Sequence, residues 1–413
     1  MRNKVRTVVV ALSMVGPGLF LIGYNIGTGS ITTMAKAGAQ YGMTLFWALV
    51  LSCIFTYILM VAYGRVTLVT GRTALYNIKH KFRYGKILAL YILIALVLGE
   101  LLALMGIMAI VADLLLEGIR LICENWVIDP FWITLILVMG LYLLLWYGRY
   151  QIFEKILTVF VILMGICFII VFFMVKPNML TIIKGLVPQV PNQPGAFRLV
   201  AAMAGTTCSA AVFIMRSTVV AEKGWNITNL KAEKKDAFVS ASMMLFLSAI
   251  IMAVSAGTLH VMGLNLTDTV EMIHLFAPIG GKIAAFILIL GVVGAGLSTI
   301  FPIILIAPWL ICDYMGKPRN IKSPMFRVLG FIGILFGFGL QFLEQRPPAM
   351  MIFSQAFQAC ILPAVAIPIF VLINQKAIMK EHTSDIKMNI GILAVILFAL
   401  LTTYFAVAEF FKF

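Results

Sequence analysis

The sequence predicts an all-α integral membrane protein with eleven transmembrane helices, folded as a five-plus-five inverted repeat whose helices 1 and 6 are broken. Three observations predict it. The composition is 62% hydrophobic and only 11% charged, against roughly 45–50% and about 25% in a soluble domain. Apolar runs recur along all 413 residues, most of them near the roughly 20 residues that cross a bilayer. The first and sixth runs carry Gly and small hydroxyl residues near mid-span. This composition excludes a cytosolic enzyme, a disordered chain and a disulfide-stapled secreted domain. The net charge of +15 would suggest nucleic acid in a soluble protein, but here it is read as a positive-inside bias.

Runs bounded by charge, Gly or Pro place the spans at 8–39, 43–63, 87–112, 131–148, 154–175, 198–220, 237–259, 283–311, 327–342, 350–373 and 388–408. Span 1 follows the basic segment Met1 to Thr7. That segment lacks a convincing small-residue cleavage site, so the span is read as a retained helix. It is too long for one crossing and is broken near Gly23–Ser30. Span 2 closes at Gly64 and Arg65, and span 3 opens after Lys86 and closes before Asp113. Spans 4 and 5 lie between Pro130 and Arg149 and between Lys155 and Lys176. Span 6 follows Arg198 and contains Gly205; span 7 follows Asp236. Span 8 runs from Lys282 to Asp313, span 9 starts at Arg327, span 10 follows Pro347 and Pro348, and span 11 follows Lys387. Residues 1–413 thus read as a single transmembrane domain: 1–175 as the first repeat (helices 1–5), 176–375 as the second (helices 6–10), and 376–413 as helix 11.

With the N-terminus inside, 22 Lys and Arg residues fall on the inner side and 7 on the outer. This predicts a multi-pass protein of a bacterial cell membrane, N-terminus cytoplasmic and C-terminus outside. The six cysteines show no CxxC spacing and read as packing residues. Lys36 is expected to snorkel outward. Asp113, Glu117, Glu124 and Asp129 are expected around the third outer loop.

Unwound backbone within a bilayer is tolerated only where it lines a cavity or is buried in protein. Breaks at matching midplane positions are a recurrent carrier plan. Here Gly27-Thr28-Gly29-Ser30 in span 1 matches Gly205-Thr206-Thr207-Cys208-Ser209 in span 6. The expected substrate-binding residues are Gly27, Thr28, Gly29, Ser30, Thr206, Thr207, Cys208 and Ser209. The plainer reading is close packing of helices on small residues. Glu100 and Arg216 are charges within spans, where each costs about 2.5–3.5 kcal/mol and normally faces a cavity or a partner. They are assigned to proton or ion coupling or gating.

Several stretches together resemble the Nramp (natural resistance-associated macrophage protein) family of proton-coupled divalent-metal transporters. They are Gly16-Pro17-Gly18, Ala37 to Gly42, Lys184 to Pro188, Gly294-Ala295-Gly296-Leu297-Ser298, and Ser354-Gln355 followed by Leu362-Pro363 and Pro368. The resemblance covers nearly the whole chain and implies the LeuT/APC-type fold, alternating access and symport of a metal ion. It also implies that Glu100 and Arg216 lie near each other; an ion pair between them is expected, either opening or shifting with the transport cycle or holding the two helices statically. The chain departs from the family where the family binds metal. Its Asp-Pro-Gly-Asn becomes Gly27 to Ser30, and its Met-Pro-His becomes Ser209-Ala210-Ala211. A Gln before Leu-Pro becomes Ile361, a second His becomes Arg216, and an Asp-x-x-Glu pair keeps only Glu100, with Val97 at its first position.

Hydroxyls and backbone carbonyls remain in place of carboxylate, thioether and imidazole, so an atypical substrate is expected. A slip of one or two residues in the helix-6 match would put Cys208 in the place of Ser209 and restore a soft ligand. Two helix N-termini also suit a carboxylate, and Gly-x-Gly-Ser resembles the break in amino acid–polyamine–organocation (APC) carriers. An amino acid or small organic acid transporter and a non-transporting sensor therefore stay open. No GxxxxGK[ST], HExxH or GxSxG occurs, so neither direct ATP drive nor an enzyme is expected. The expected partners are the lipid bilayer, a small ion or solute and a coupling proton, with no cofactor, no nucleic acid and a monomeric state.

Overall fold

A computed structural model describes residues 27–123, 128–147, 150–276, 278–317, 320, 322–343 and 345–410. The basic N-terminal segment and residues 23–26 of the expected first break lie outside the described residues. The described residues are helical, with no strand among them. In order the helices are α1 (Thr28–Tyr41), α2 (Phe46–Thr70), α3 (Ala74–Lys81), α4 (Gly85–Ile122), α5 (Pro130–Tyr147), α6 (Tyr150–Val175) and α7 (Met179–Lys184). Then follow α8 (Ala196–Thr207), α9 (Ala210–Glu222), α10 (Leu230–Gly257), α11 (Gly281–Met315), α12 (Pro324–Leu335), α13 (Pro347–Asn374), α14 (Lys376–Met379) and α15 (Ile386–Phe410).

Nine helical segments among the described residues are long and apolar enough to cross a membrane, counting α8 with α9 as one. Their burial separates centre from periphery. The most apolar stretch of the α8–α9 segment is 89% buried, against 28% for α5 and 33% for α15. Ile136 on α5 and Leu397 on α15 are each 71% exposed, as side chains facing lipid would be. Span 6 therefore runs through the middle of the bundle, with α13, α2 and α1 packed around it.

Helix α4 differs most from the expected bounds. Helix α4 spans 38 residues and carries Asp113 and Glu117, which were expected in a loop. An apolar run stops at its first charge, but a helix continues while its backbone bonds persist. Near its end, Glu117 and Arg120 form an i,i+3 pair at 3.6 Å. Helices α11 and α13 each carry two interior prolines, Pro302 and Pro308 in one and Pro363 and Pro368 in the other. Interior Pro removes a ladder hydrogen bond, a loss tolerated where neighbouring helices cover the freed carbonyl.

Helix α1 is docked on α10. A methyl group at Gly38 would overlap the Met252 carbonyl oxygen, so only glycine allows this approach. Ser255 donates to the Ala35 carbonyl, and His260 Nδ1 lies 2.7 Å from the Ala39 carbonyl. Lys36 donates to the Leu266 carbonyl at 3.3 Å, beyond the end of α10.

Candidate functional site

The sixth span is broken as expected, but at Cys208 and Ser209, three and four residues beyond its glycine. Helix α8 runs through Gly205, Thr206 and Thr207, and the Cys208 N–H still closes its last turn on the Ala204 carbonyl at 2.7 Å. Extended backbone at Ser209 (ψ 130°) then starts α9. Gly205 therefore serves close packing rather than unwinding, because a methyl there would overlap the Gln355 carbonyl oxygen of α13. In span 1, Gly27 is extended and caps α1, with Thr28, Gly29 and Ser30 in the first helical turn.

The start of α1 lies against the broken span 6. Ser30 Oγ and Thr206 Oγ1 are 3.0 Å apart. Around them lies a cavity of about 30 Å³, lined by Gly27, Gly29, Ser30, Thr206 and Ser209, with Glu100, Ala103 and Ile107 from α4. Thr299 and Ile303 from α11 and Met351, Gln355 and Gln358 from α13 complete the lining. Glycine at 27 and 29 follows from this crowding. A methyl at Gly27 would overlap Thr299 Oγ1, and one at Gly29 would sit 2.8 Å from Gln355 Nε2.

Of the eight expected binding residues, five line this cavity. Thr28, Thr207 and Cys208 do not. Thr28 donates to the Val292 carbonyl at 3.4 Å, and Thr207 donates back to the Met203 carbonyl at 2.7 Å. The Thr207 carbonyl, freed by the break, accepts from Thr56 Oγ1 at 2.8 Å. Cys208 is fully buried and unoxidised. The sulfur that lines the cavity is the Met351 thioether, which sequence reasoning missed along with Thr299, Gln355 and Gln358. A readable signal did exist, since Gln355 and Gln358 stand three apart in an apolar run and so share a face.

The expected Glu100–Arg216 pair does not form. Arg216 is fully buried and held by two carboxylates from α10, with Nη2 2.9 Å from Glu233 Oε1 and Nη1 2.5 Å from Asp236 Oδ2. The guanidinium also donates to the Glu233 backbone carbonyl. Glu233 backs onto Gly64 of α2, where a methyl would overlap its carboxylate. The cause is local. Glu233 and Asp236 lie three apart on one buried face of α10, while Lys231, Lys234 and Lys235 stay exposed. Glu100 instead accepts from Gln358 Nε2 at 3.1 Å. Gln358 Oε1 in turn accepts from Ser209 Oγ at 2.7 Å. A chain of hydrogen bonds therefore joins the break in span 6 to the carboxylate of α4.

The family model described as "Natural resistance-associated macrophage protein-like" matches residues 18–409. The chain belongs to the Nramp family. Relatives in the family include a divalent metal cation transporter MntH from a Nostoc species, 24% identical over 392 residues and covering 91% of this chain and 86% of the relative. An MntH from Staphylococcus saprophyticus is 23% identical, covering 96% and 92%. Among solved structures, the Eremococcus coleocola manganese transporter with an aromatic bis-isothiourea substituted compound has a TM-score of 0.72 at 15% identity, covering 97% and 88%. Mhp1, a nucleobase-cation-symport-1 family transporter in a closed conformation, has a TM-score of 0.61 at 15% identity, covering 96% and 93%. These likenesses establish the fold shared by LeuT-type carriers. This Nramp protein is accordingly a multi-pass membrane transporter and not an enzyme.

Proposed function

We propose that this Nramp protein carries a hard divalent cation, of the manganese or magnesium kind, in a secondary-active cycle coupled to protonation of Glu100. One observation carries the reading: among the described residues, Glu100 is the ionisable side chain that lines the cavity, set among the oxygens of Ser30, Thr206, Ser209, Thr299, Gln355 and Gln358. Carboxylate, carbonyl and water ligands suit magnesium, calcium and manganese, whereas imidazole suits zinc, copper and iron. Magnesium in particular is held by one or two carboxylates while keeping several waters.

Size supports the same class. A cavity of about 30 Å³ has room for an ion with about two waters. Small-molecule pockets run to about 300–1,000 Å³, so an amino acid fits poorly. On this reading Glu100 takes over from helix 3 the charge that the family supplies from helix 1, and Ser30 and Ser209 add neutral oxygen. The curated relatives, named divalent metal cation transporters, agree with the cargo class.

The test is uptake of manganese and of magnesium into proteoliposomes. Glu100→Gln is expected to cut uptake of both about tenfold or more, since a hydrogen bond or contact to a charge contributes about 1.5–3 kcal/mol. It should also flatten the pH dependence, while the amide keeps the contact to Gln358 and hence the fold. Uptake of amino acids with no response to either metal would overturn the reading.

A further inference from the structure

We propose that a groove between α2, α6, α7 and α10 holds one acyl chain of an anionic phospholipid, with Lys176 and Lys184 at the lipid's phosphate. The inference is independent of the cargo. The groove is a cavity of about 230 Å³ whose lining side chains are all apolar. Ala249 and Ala253 stand one turn apart on α10 and leave the space. Phe46 of α2, Phe172 and Phe173 of α6 and Ile182 of α7 surround it. The groove opens to the outside of the bundle, where Phe173 is 69% exposed.

The lining chemistry narrows the occupant. Small-molecule pockets measure about 300–1,000 Å³ and place a few polar groups to orient the ligand. This groove is smaller and its lining offers no polar side chain. An unbranched hydrocarbon needs none. A surface groove in a bilayer meets lipid tails, and a tail seated in it makes the packing contacts that a void would forfeit. Lipid tails are as apolar as the side chains they touch. The tail therefore contributes fit, and selectivity comes from the headgroup.

Two cations flank the groove. Lys176 follows Phe173 by three residues, where α6 ends. Lys184 is the last residue of α7, and the next residue, Gly185, packs on the Met43 carbonyl and the Phe46 side chain. Trp47 pins this stretch to the start of α2, donating from its backbone to the Gly185 carbonyl at 2.8 Å and from its indole to the Gln189 carbonyl at 3.0 Å. Both lysines are exposed, and neither meets a carboxylate among the described residues. The sequence supplies no Asp or Glu from 155 to 221. Beyond the end of α10, Asp268 faces Arg346 and Glu271 accepts from the Thr267 N–H. Between the two lysines, Met179, Leu180 and Ile183 of α7 are exposed. Apolar side chains flanked by cations are the pattern of a segment lying in a membrane interface. A basic site beside lipid-facing helices favours an anionic headgroup.

The test is native mass spectrometry of the purified protein with phosphatidylglycerol and phosphatidylcholine of identical acyl chains, mixed in equal amounts. Wild type should retain the anionic lipid about thirtyfold over the zwitterionic one, from two lysines at about 1 kcal/mol each converted at tenfold per 1.4 kcal/mol. Lys176→Asn combined with Lys184→Gln should bring the ratio near one. Lys176 has φ 48°, a conformation that asparagine tolerates, so this variant keeps the backbone. Ala249→Phe fills the groove and should lower retention of both lipids. A phosphatidylglycerol carrying a diazirine in its acyl chain should label residues 169–173 and 246–253 of wild type above the other lipid-facing helices, which tests the groove without any substitution. Equal retention of the two lipids by wild type, or label spread evenly over all exposed helices, would overturn the proposal. So would a particle of twice the chain's mass that Ala249→Phe converts to monomer, because the groove would then belong to a second copy.

Discussion

Arg216→Leu is expected to destabilise the protein by about 3–5 kcal/mol, the cost of leaving buried charges without their partner. The substitution strands two carboxylates, Glu233 and Asp236, which are 0% and 3% exposed. Glu233 Oε2 already lacks a hydrogen-bond partner, so little remains to compensate it. Thermal unfolding in detergent, followed by tryptophan fluorescence, reads the loss directly. The combination Arg216→Met, Glu233→Leu and Asp236→Leu should recover most of it, because a buried ion cluster and a well-packed apolar cluster of similar volume are often close in energy. A single-variant loss under about 1 kcal/mol would place Arg216 among surface-like pairs and contradict its burial.

Gly205→Ala is expected to abolish uptake with a stability loss of about 1–3 kcal/mol or more, the usual range for overpacking. The added methyl meets the backbone carbonyl of Gln355. A flexible side chain would swing aside; a helix backbone cannot. Helices α8 and α13 must separate, carrying Gln355 and Gln358 away from Thr206 and Ser209. Gly140→Ala is the control. It lies within α5 with nothing within 4 Å of an added methyl, so uptake should be unchanged and stability neutral or up by as much as about 1 kcal/mol. Equal effects of the two variants would show that the α8–α13 contact has no special role.

These two results bear on what a single sequence reveals. The all-helical membrane fold was legible because composition alone demands it. The break in span 6 was legible because Gly, Thr and Ser interrupt an apolar run. Glu100 stood out as a lone acid within a span. Its partner did not, because a helix can turn any face toward its neighbours, and the turn that faces Glu100 to Gln358 is set by packing across distant segments. Glu233 and Asp236 were hidden for a different reason. They sit among Lys231, Lys234 and Lys235, which read as a solvated basic stretch until the face of α10 is known. The glycines at 27, 29 and 205 were noticed, yet their common purpose was not: each makes room for an atom from α11 or α13.

The one carboxylate among the described residues that line the cavity also has an electrical consequence. With Glu100 ionised and a divalent cargo bound, the cavity carries one net positive charge; with Glu100 protonated and the cargo gone, it carries none. A membrane voltage acts on each elementary charge with about 2.3 kcal/mol per 100 mV. For such a cargo the voltage would therefore pull on the loaded stroke and leave the empty return stroke untouched.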